Sequence, residues 1–179
     1  LNGMDLRMAW RATVALLGPN GAGKSTALSL LLGLLRPQTG TVEVLGTSPR
    51  QAVAQGHVGA MLQTGSGAGL PPGVRVGEAL RLVRSLYPHP APFDLIAERA
   101  GIGGLLDRPA VRLSGGQAQS VRFAIAIAGD PDLVFLDEPT AAMVLVGQQA
   151  FWRMIREFAW EGRTTIFATH HLHEAYRVA

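Results

Sequence analysis

The chain has 179 residues, 47% of them hydrophobic and 16% charged, with a net charge of +3 and no cysteine. That length and apolar content suit one globular domain, and the missing thiols exclude disulfide staples, thiol nucleophiles and thiolate metal sites. The longest nearly pure apolar run, Ala27 to Leu35, is far shorter than the ~20 residues a bilayer span requires, so membrane association is expected only through a partner.

No secretory signal is expected from Leu1 to Asp5. The arginines are scattered singly without interleaved aromatics, so no nucleic-acid partner is expected despite the basic balance. The single lysine of the chain is Lys24, a compact ammonium of the kind suited to a phosphate.

Ala12 to Leu17 reads as a buried strand, followed by a glycine-rich loop and a helical pattern from Lys24 to Leu35. Pro37 to Gly40 turns the chain into a predicted second strand, Thr41 to Leu45, and His57 to Leu62 reads as a third. From Thr64 to Arg112 the strand signals stop. Val76 to Tyr87 and Phe93 to Ala100 show helical spacing, which makes 64–112 a predicted helical insertion. Within it, Gly65 to Gly69 reads as a flexible loop. Strand signals resume at Leu133 to Leu136 and Thr164 to Ala168, on either side of an amphipathic pattern at Gly147 to Trp160. This is the pattern of βαβ crossovers, so the predicted class is α/β with a mostly parallel sheet.

Gly18, Pro19, Asn20, Gly21, Ala22, Gly23, Lys24 and Ser25, with Thr26 following, fit the phosphate-loop pattern G-x-x-x-x-G-K-[ST] between a strand and a helix. Glycines let the backbone curl so that its N–H groups and the positive helix end face the phosphates; Lys24 adds charge and Ser25 a hydroxyl for Mg2+. Leu133 to Leu136 runs into Asp137 and Glu138, an apolar strand ending in two carboxylates. Asp137 is expected to serve the metal and Glu138 to act as base for an attacking water. Ser114, Gly115, Gly116 and Gln117 precede a helical run to Ala128, so they are expected to form a second anion cradle at a helix start.

Leu113-Ser114-Gly115-Gly116-Gln117, followed by Phe135 to Thr140 (FLDEPT), resembles the nucleotide-binding domain of ABC ATPases over nearly the whole chain. The resemblance implies a RecA-like P-loop NTPase fold with a helical insertion subdomain, ATP and Mg2+ as cofactors, and ATP hydrolysis. It also implies a head-to-tail dimer in which each ATP lies between one copy's phosphate loop and the other's signature. A separate membrane permease is then the other partner, which places the chain on the inner, cytoplasmic face of the membrane. By the same resemblance Gln63 is the glutamine that touches Mg2+, and His170, in Phe167-Ala168-Thr169-His170, is the switch histidine on the γ phosphate. The tail Thr169 to Ala175 and the context Met61-Leu62-Gln63 look most like exporters of the multidrug and antibiotic-resistance type.

The sequence also departs from that pattern. Val144 stands where the family usually carries an aspartate, Trp10 lies too close to the phosphate loop to be the usual adenine platform, and Ala118-Gln119-Ser120 replaces a commonly basic position. The chain opens on Leu1 and stops before the family's closing strands, so a domain truncated at both ends is expected. His170 and His173 have no evident third ligand for zinc. The alternatives are a degenerate ATP-binding module with little hydrolysis, or a non-transport ABC ATPase of the translation or DNA-repair type.

Overall fold

Leu133–Asp137 is apolar at every position except its last, and such a strand is stable only when both faces are covered. The computed structural model, which describes residues 3–63, 68–141 and 143–178, covers it fully. Four strands are described: β1 (Thr13–Leu17), β2 (Val58–Met61), β3 (Leu133–Asp137) and β4 (Thr164–Thr169). They form one parallel sheet in the order β1-β4-β3-β2, with Asp137 opposite Ala168 and Leu17 opposite Thr169.

Side chains alternate across the sheet as the two-residue strand period demands. Leu133, Phe135, Ile166 and Ala168 face one layer, where they meet Leu28 and Leu32, at the end of α1 (Lys24–Leu31), and Ala52 of α2 (Pro49–Ala54). Val134, Leu136 and Phe167 face the other, formed by α5 (Gly115–Ala126) and α6 (Leu145–Trp160). There Phe123 meets Phe151 and Phe158 edge-on, with centroids 5.9 and 5.7 Å apart, and Trp152 meets Phe167 at 4.8 Å. Between β2 and α5, the described residues 68–112 add no strand to the sheet. They hold α3 (Val76–Arg84), α4 (Phe93–Arg99) and two short 3-10 turns, packed on α5 through Leu80, Ile96 and Ile102. The final helix, α7 (Leu172–Val178), follows β4.

Three expectations need correction. Ala12 to Leu17 does hold a strand, β1, but not a buried one: it lies at the end of the described sheet, half-buried from Thr13 to Leu16 and exposed at Leu17. Thr41 to Leu45 is not a strand: among the described residues it makes only an isolated antiparallel bridge, Val44 to Thr47, within its own turn. Val44 is buried, so the apolar signal was real, but the segment docks against no strand edge that could complete a ladder. The helix predicted to Leu35 ends at Leu31, because Gly33 takes a left-handed φ of 68° and Leu34 and Leu35 return their N–H groups to Ser29 O. Thr64 and most of the loop Gly65 to Gly69 lie outside the described residues, as does Ala142.

Because every strand is parallel, every strand end points the same way. Gly18, Gln63, Glu138 and His170 all follow a strand on the carboxyl edge of the sheet, the edge where open α/β sheets place their ligands.

Candidate functional site

The turn after β1 is shaped by its glycines. Gly21 and Gly23 adopt φ of 83° and 91°, a left-handed region that costs a side chain energy, so the loop curls back before α1 begins. Gly23 caps α1 with no side-chain hydrogen bond, which leaves the first-turn N–H groups without intrahelical partners at the positive end of the helix. Lys24 Nζ arches over the loop and donates to Gly18 O at 2.7 Å and Pro19 O at 3.1 Å. It also stands 3.9 Å from Glu138 Oε1.

Asp137, the last residue of β3, is 5% exposed and its Oδ1 has no hydrogen-bond partner. Burial pushes its carboxyl above the usual carboxylate range; a hydrogen bond from the Ser25 side chain and the Lys24 charge pull it down, and the Glu138 charge adds to the rise. An unpartnered buried carboxylate oxygen beside the Ser25 hydroxyl, with Gln63 on the same cleft, is an oxygen donor set that fits Mg2+.

Glu138 turns the chain away from the sheet with φ of 47°, an unusual conformation for a residue that precedes proline. Its N–H donates to Ala168 O at 2.9 Å, and its Oε1 accepts from His170 Nδ1 at 2.9 Å. One carboxylate oxygen is thus flanked by a lysine and a histidine. Asn20, Gly21, Gly23, Lys24, Ser25, Thr26, Gln63, Glu138, Ala141 and His170 line a single cleft of about 360 Å3. Gln63 stands two residues beyond β2 rather than at its end.

The other predicted cradle lies elsewhere. Ser114 caps α5, its Oγ accepting from Gln117 N–H at 3.3 Å while Gln117 Oε1 accepts from Ser114 N–H at 3.0 Å. None of Ser114, Gly115, Gly116 or Gln117 lines the cleft. Val144 caps α6 without a side-chain hydrogen bond and is 79% exposed. Trp10 precedes β1, on the opposite edge of the sheet from the cleft, beside Arg11, whose N–H donates to Thr164 Oγ1 at the start of β4.

Sequence reasoning missed three residues. Glu174 of α7 is buried and accepts hydrogen bonds from the hydroxyls of Thr140 and Thr169, just behind the cleft. The tail motif contained Glu174, but an acid in the first turn of a helix reads as a surface residue.

Residues 1–141 match the sequence profile of the family described as ABC transporter. Over 97% of its length the chain is 37% identical to the zinc import ATP-binding protein ZnuC of Cereibacter sphaeroides. Over 99% it is 32% identical to the Nod factor export ATP-binding protein I of Paraburkholderia xenovorans. The chain spans 67% and 60% of the lengths of these two relatives. Among solved structures, CbiO1 of Clostridium perfringens, part of the ABC transporter complex CbiONQ, superposes with a TM-score of 0.81 at 27% identity, covering 96% of this chain and 72% of that one.

Proposed function

The chain belongs to the ABC transporter family, and from that premise we propose that it is the ATP-binding and hydrolysing part of a transporter. The observation that carries this reading is the convergence of the phosphate loop, Glu138 and His170 on one cleft, whose Ser25 also hydrogen-bonds the buried Asp137 carboxylate. In this reading the loop N–H groups, with Lys24 and Thr26, hold the β and γ phosphates of ATP. Asp137, Ser25 and Gln63 hold Mg2+, which when bound neutralises charge on the phosphates. Glu138 accepts the proton of the water that attacks the γ phosphorus as the bond to the bridging oxygen breaks. His170 holds Glu138 in place and faces the γ phosphate.

Ser114 to Gln117 lie away from this cleft, which suits a role in completing the site of a second copy bound head to tail. The remaining partner is a membrane permease. No helix among the described residues is long and apolar enough to cross a membrane itself, so the chain would sit on the inner face through that partner. We place the chain with exporters from the Thr169 to Ala175 tail. Relatives named for export and for import both match nearly the whole chain, so the exporter reading rests on that tail and on Met61-Leu62-Gln63 rather than on overall similarity.

The test is steady-state Mg2+-dependent ATP hydrolysis beside an identically purified Glu138→Gln protein. Loss of the base is expected to lower kcat about a hundredfold or more. Wild-type hydrolysis should also rise more than linearly with protein concentration, as a dimeric site requires. Equal silence of the two proteins overturns the hydrolytic reading. One observation favours a second reading, a module that binds ATP without turnover: Val144 offers no acid at the start of α6. Retained ATP binding in a silent wild type selects that reading.

A further inference from the structure

Glu174 is 1% exposed, and both of its carboxylate oxygens are used: Oε1 accepts from Thr140 Oγ1 and Oε2 from Thr169 Oγ1, the latter at 2.5 Å. Thr140 and Thr169 are themselves buried, so no water competes for these bonds. The two threonines belong to different loops. Thr140 lies two residues after Glu138, and Thr169 immediately precedes His170. Thr169 Oγ1 also accepts the N–H of His171 at 3.1 Å, so one hydroxyl holds the backbone on both sides of His170.

The loop of Glu138 is the one that needs holding. Its left-handed φ precedes Pro139, a backbone state that persists only where surrounding contacts over-determine it. At its near end Glu138 N–H is tied to Ala168 O; beyond Pro139, the Thr140 hydroxyl is tied to Glu174. The same carboxylate therefore fixes the loop of the base and the loop of its histidine partner relative to each other, behind the 2.9 Å contact between their side chains.

We propose that Glu174 is a positioning residue: its buried carboxylate clamps the Glu138 and His170 loops together and so sets the geometry of the hydrolytic pair. The inference rests on the ATPase reading for its kinetic consequence but not for its structural one. A shift of about an ångström at reacting groups is worth up to about a hundredfold in rate. Glu174 does not line the cleft, so nucleotide affinity should be spared.

The experiment compares Glu174→Gln, Thr140→Val, Thr169→Val and Thr140→Ser. For each, kcat and KM for Mg2+-ATP, the Kd for the non-hydrolysable analogue AMP-PNP, and the His170 imidazole 15N signals are measured. The first three should lower kcat about ten- to a hundredfold, leave the Kd within about twofold, and move the His170 signals while those of His57, on the far edge of the sheet, stay in place. Thr140→Ser keeps the hydroxyl and should restore wild-type kcat, which a role in packing alone would not. Unchanged kcat with unmoved His170 signals overturns the proposal, as does parallel loss of kcat, analogue affinity and thermal stability. If wild type does not exceed the Glu138→Gln protein, it is the ATPase reading that fails. The His170 signals then still decide whether the clamp exists. Should Glu174→Gln fail to fold, the two valine variants and the serine variant carry the same test.

Discussion

Gly59 sits in the middle of β2, opposite Val134 of β3. A methyl group placed there would lie 2.0 Å from Ala126 O and 3.0 Å from Pro131 Cγ, whereas ordinary contacts begin at 3.4 Å. The obstacle at 2.0 Å is backbone at the last turn of α5, so no rotamer change relieves it. Strand and helix must separate by more than an ångström. That movement draws Phe123 of α5 away from Phe151 and Phe158, its edge-on partners. Overpacking of this kind costs about 1–3 kcal/mol, and loosening the ring contacts adds about 0.5–1.5 kcal/mol. For a chain of this size each kcal/mol lowers Tm by about 2–4 °C. Gly59→Ala is therefore expected to melt about 3–18 °C below wild type, read by far-ultraviolet circular dichroism and by the urea midpoint. Gly104→Ala, in the turn Gly103–Leu105, is the control: nothing lies within 4 Å of the added methyl and φ is not left-handed, so its stability should stay within about 0.5 kcal/mol of wild type. A Gly59→Ala protein whose Tm matches that of the Gly104→Ala control to within about 1 °C refutes the close contact between β2 and α5.

Two further predictions concern elements on either side of that contact. The Tyr87 ring lies over Gly129 and Gly56, and burial pushes its phenol above the ordinary value of about 10. Between the unfolded and folded values the native chain holds a proton that the unfolded chain has released, so stability falls as pH rises through that window. Tyr87→Phe removes this loss: its urea midpoint should decline less than that of wild type above about pH 10, with a steeper decline for the variant counting against the burial. Ser114→Ala removes the acceptor of Gln117 N–H and loosens the reciprocal bond, at about 1 kcal/mol or about 2–4 °C in Tm. Because Ser114 does not line its own cleft, AMP-PNP affinity in dilute solution should stay unchanged while the more-than-linear concentration dependence of hydrolysis is lost. A fall in that affinity would place Ser114 at the nucleotide of its own copy.

The parts of the fold legible in the sequence are those whose signal is continuous and whose partner is unambiguous. Leu133 to Leu136 and Thr164 to Ala168 are short apolar runs that only a two-sided environment accommodates, and both become central strands. Thr41 to Leu45 carried a similar signal without a place in the sheet. Its apolar side chain Val44 is buried, yet its backbone pairs only within its own turn, and pairing is a property of neighbours that a local pattern does not contain. The helix after the phosphate loop illustrates the opposite failure. Leu34 and Leu35 extend the apolar pattern, but Gly33 had already ended the helix, and both leucines are exposed, at 60% and 49%.

The cleft follows from topology more than from proximity in sequence. Lys24 and Glu138 are 114 positions apart, yet once the strands are parallel their ends share one edge, so reading the strand order correctly brings the phosphate loop, Glu138 and His170 together. What topology does not supply is the layer behind the edge. Glu174 looks like a helix-start acid facing water, and Thr140 and Thr169 like ordinary loop hydroxyls; each reading is sound for its residue alone. Only their joint burial changes the argument, because a dry carboxylate with two hydroxyl donors is costly to keep unless every bond is made. The chain bears that cost directly behind an acidic residue held at a left-handed φ before proline, and that coincidence of position makes a clamp on Glu138 and His170 a better account of Glu174 than an incidental buried acid.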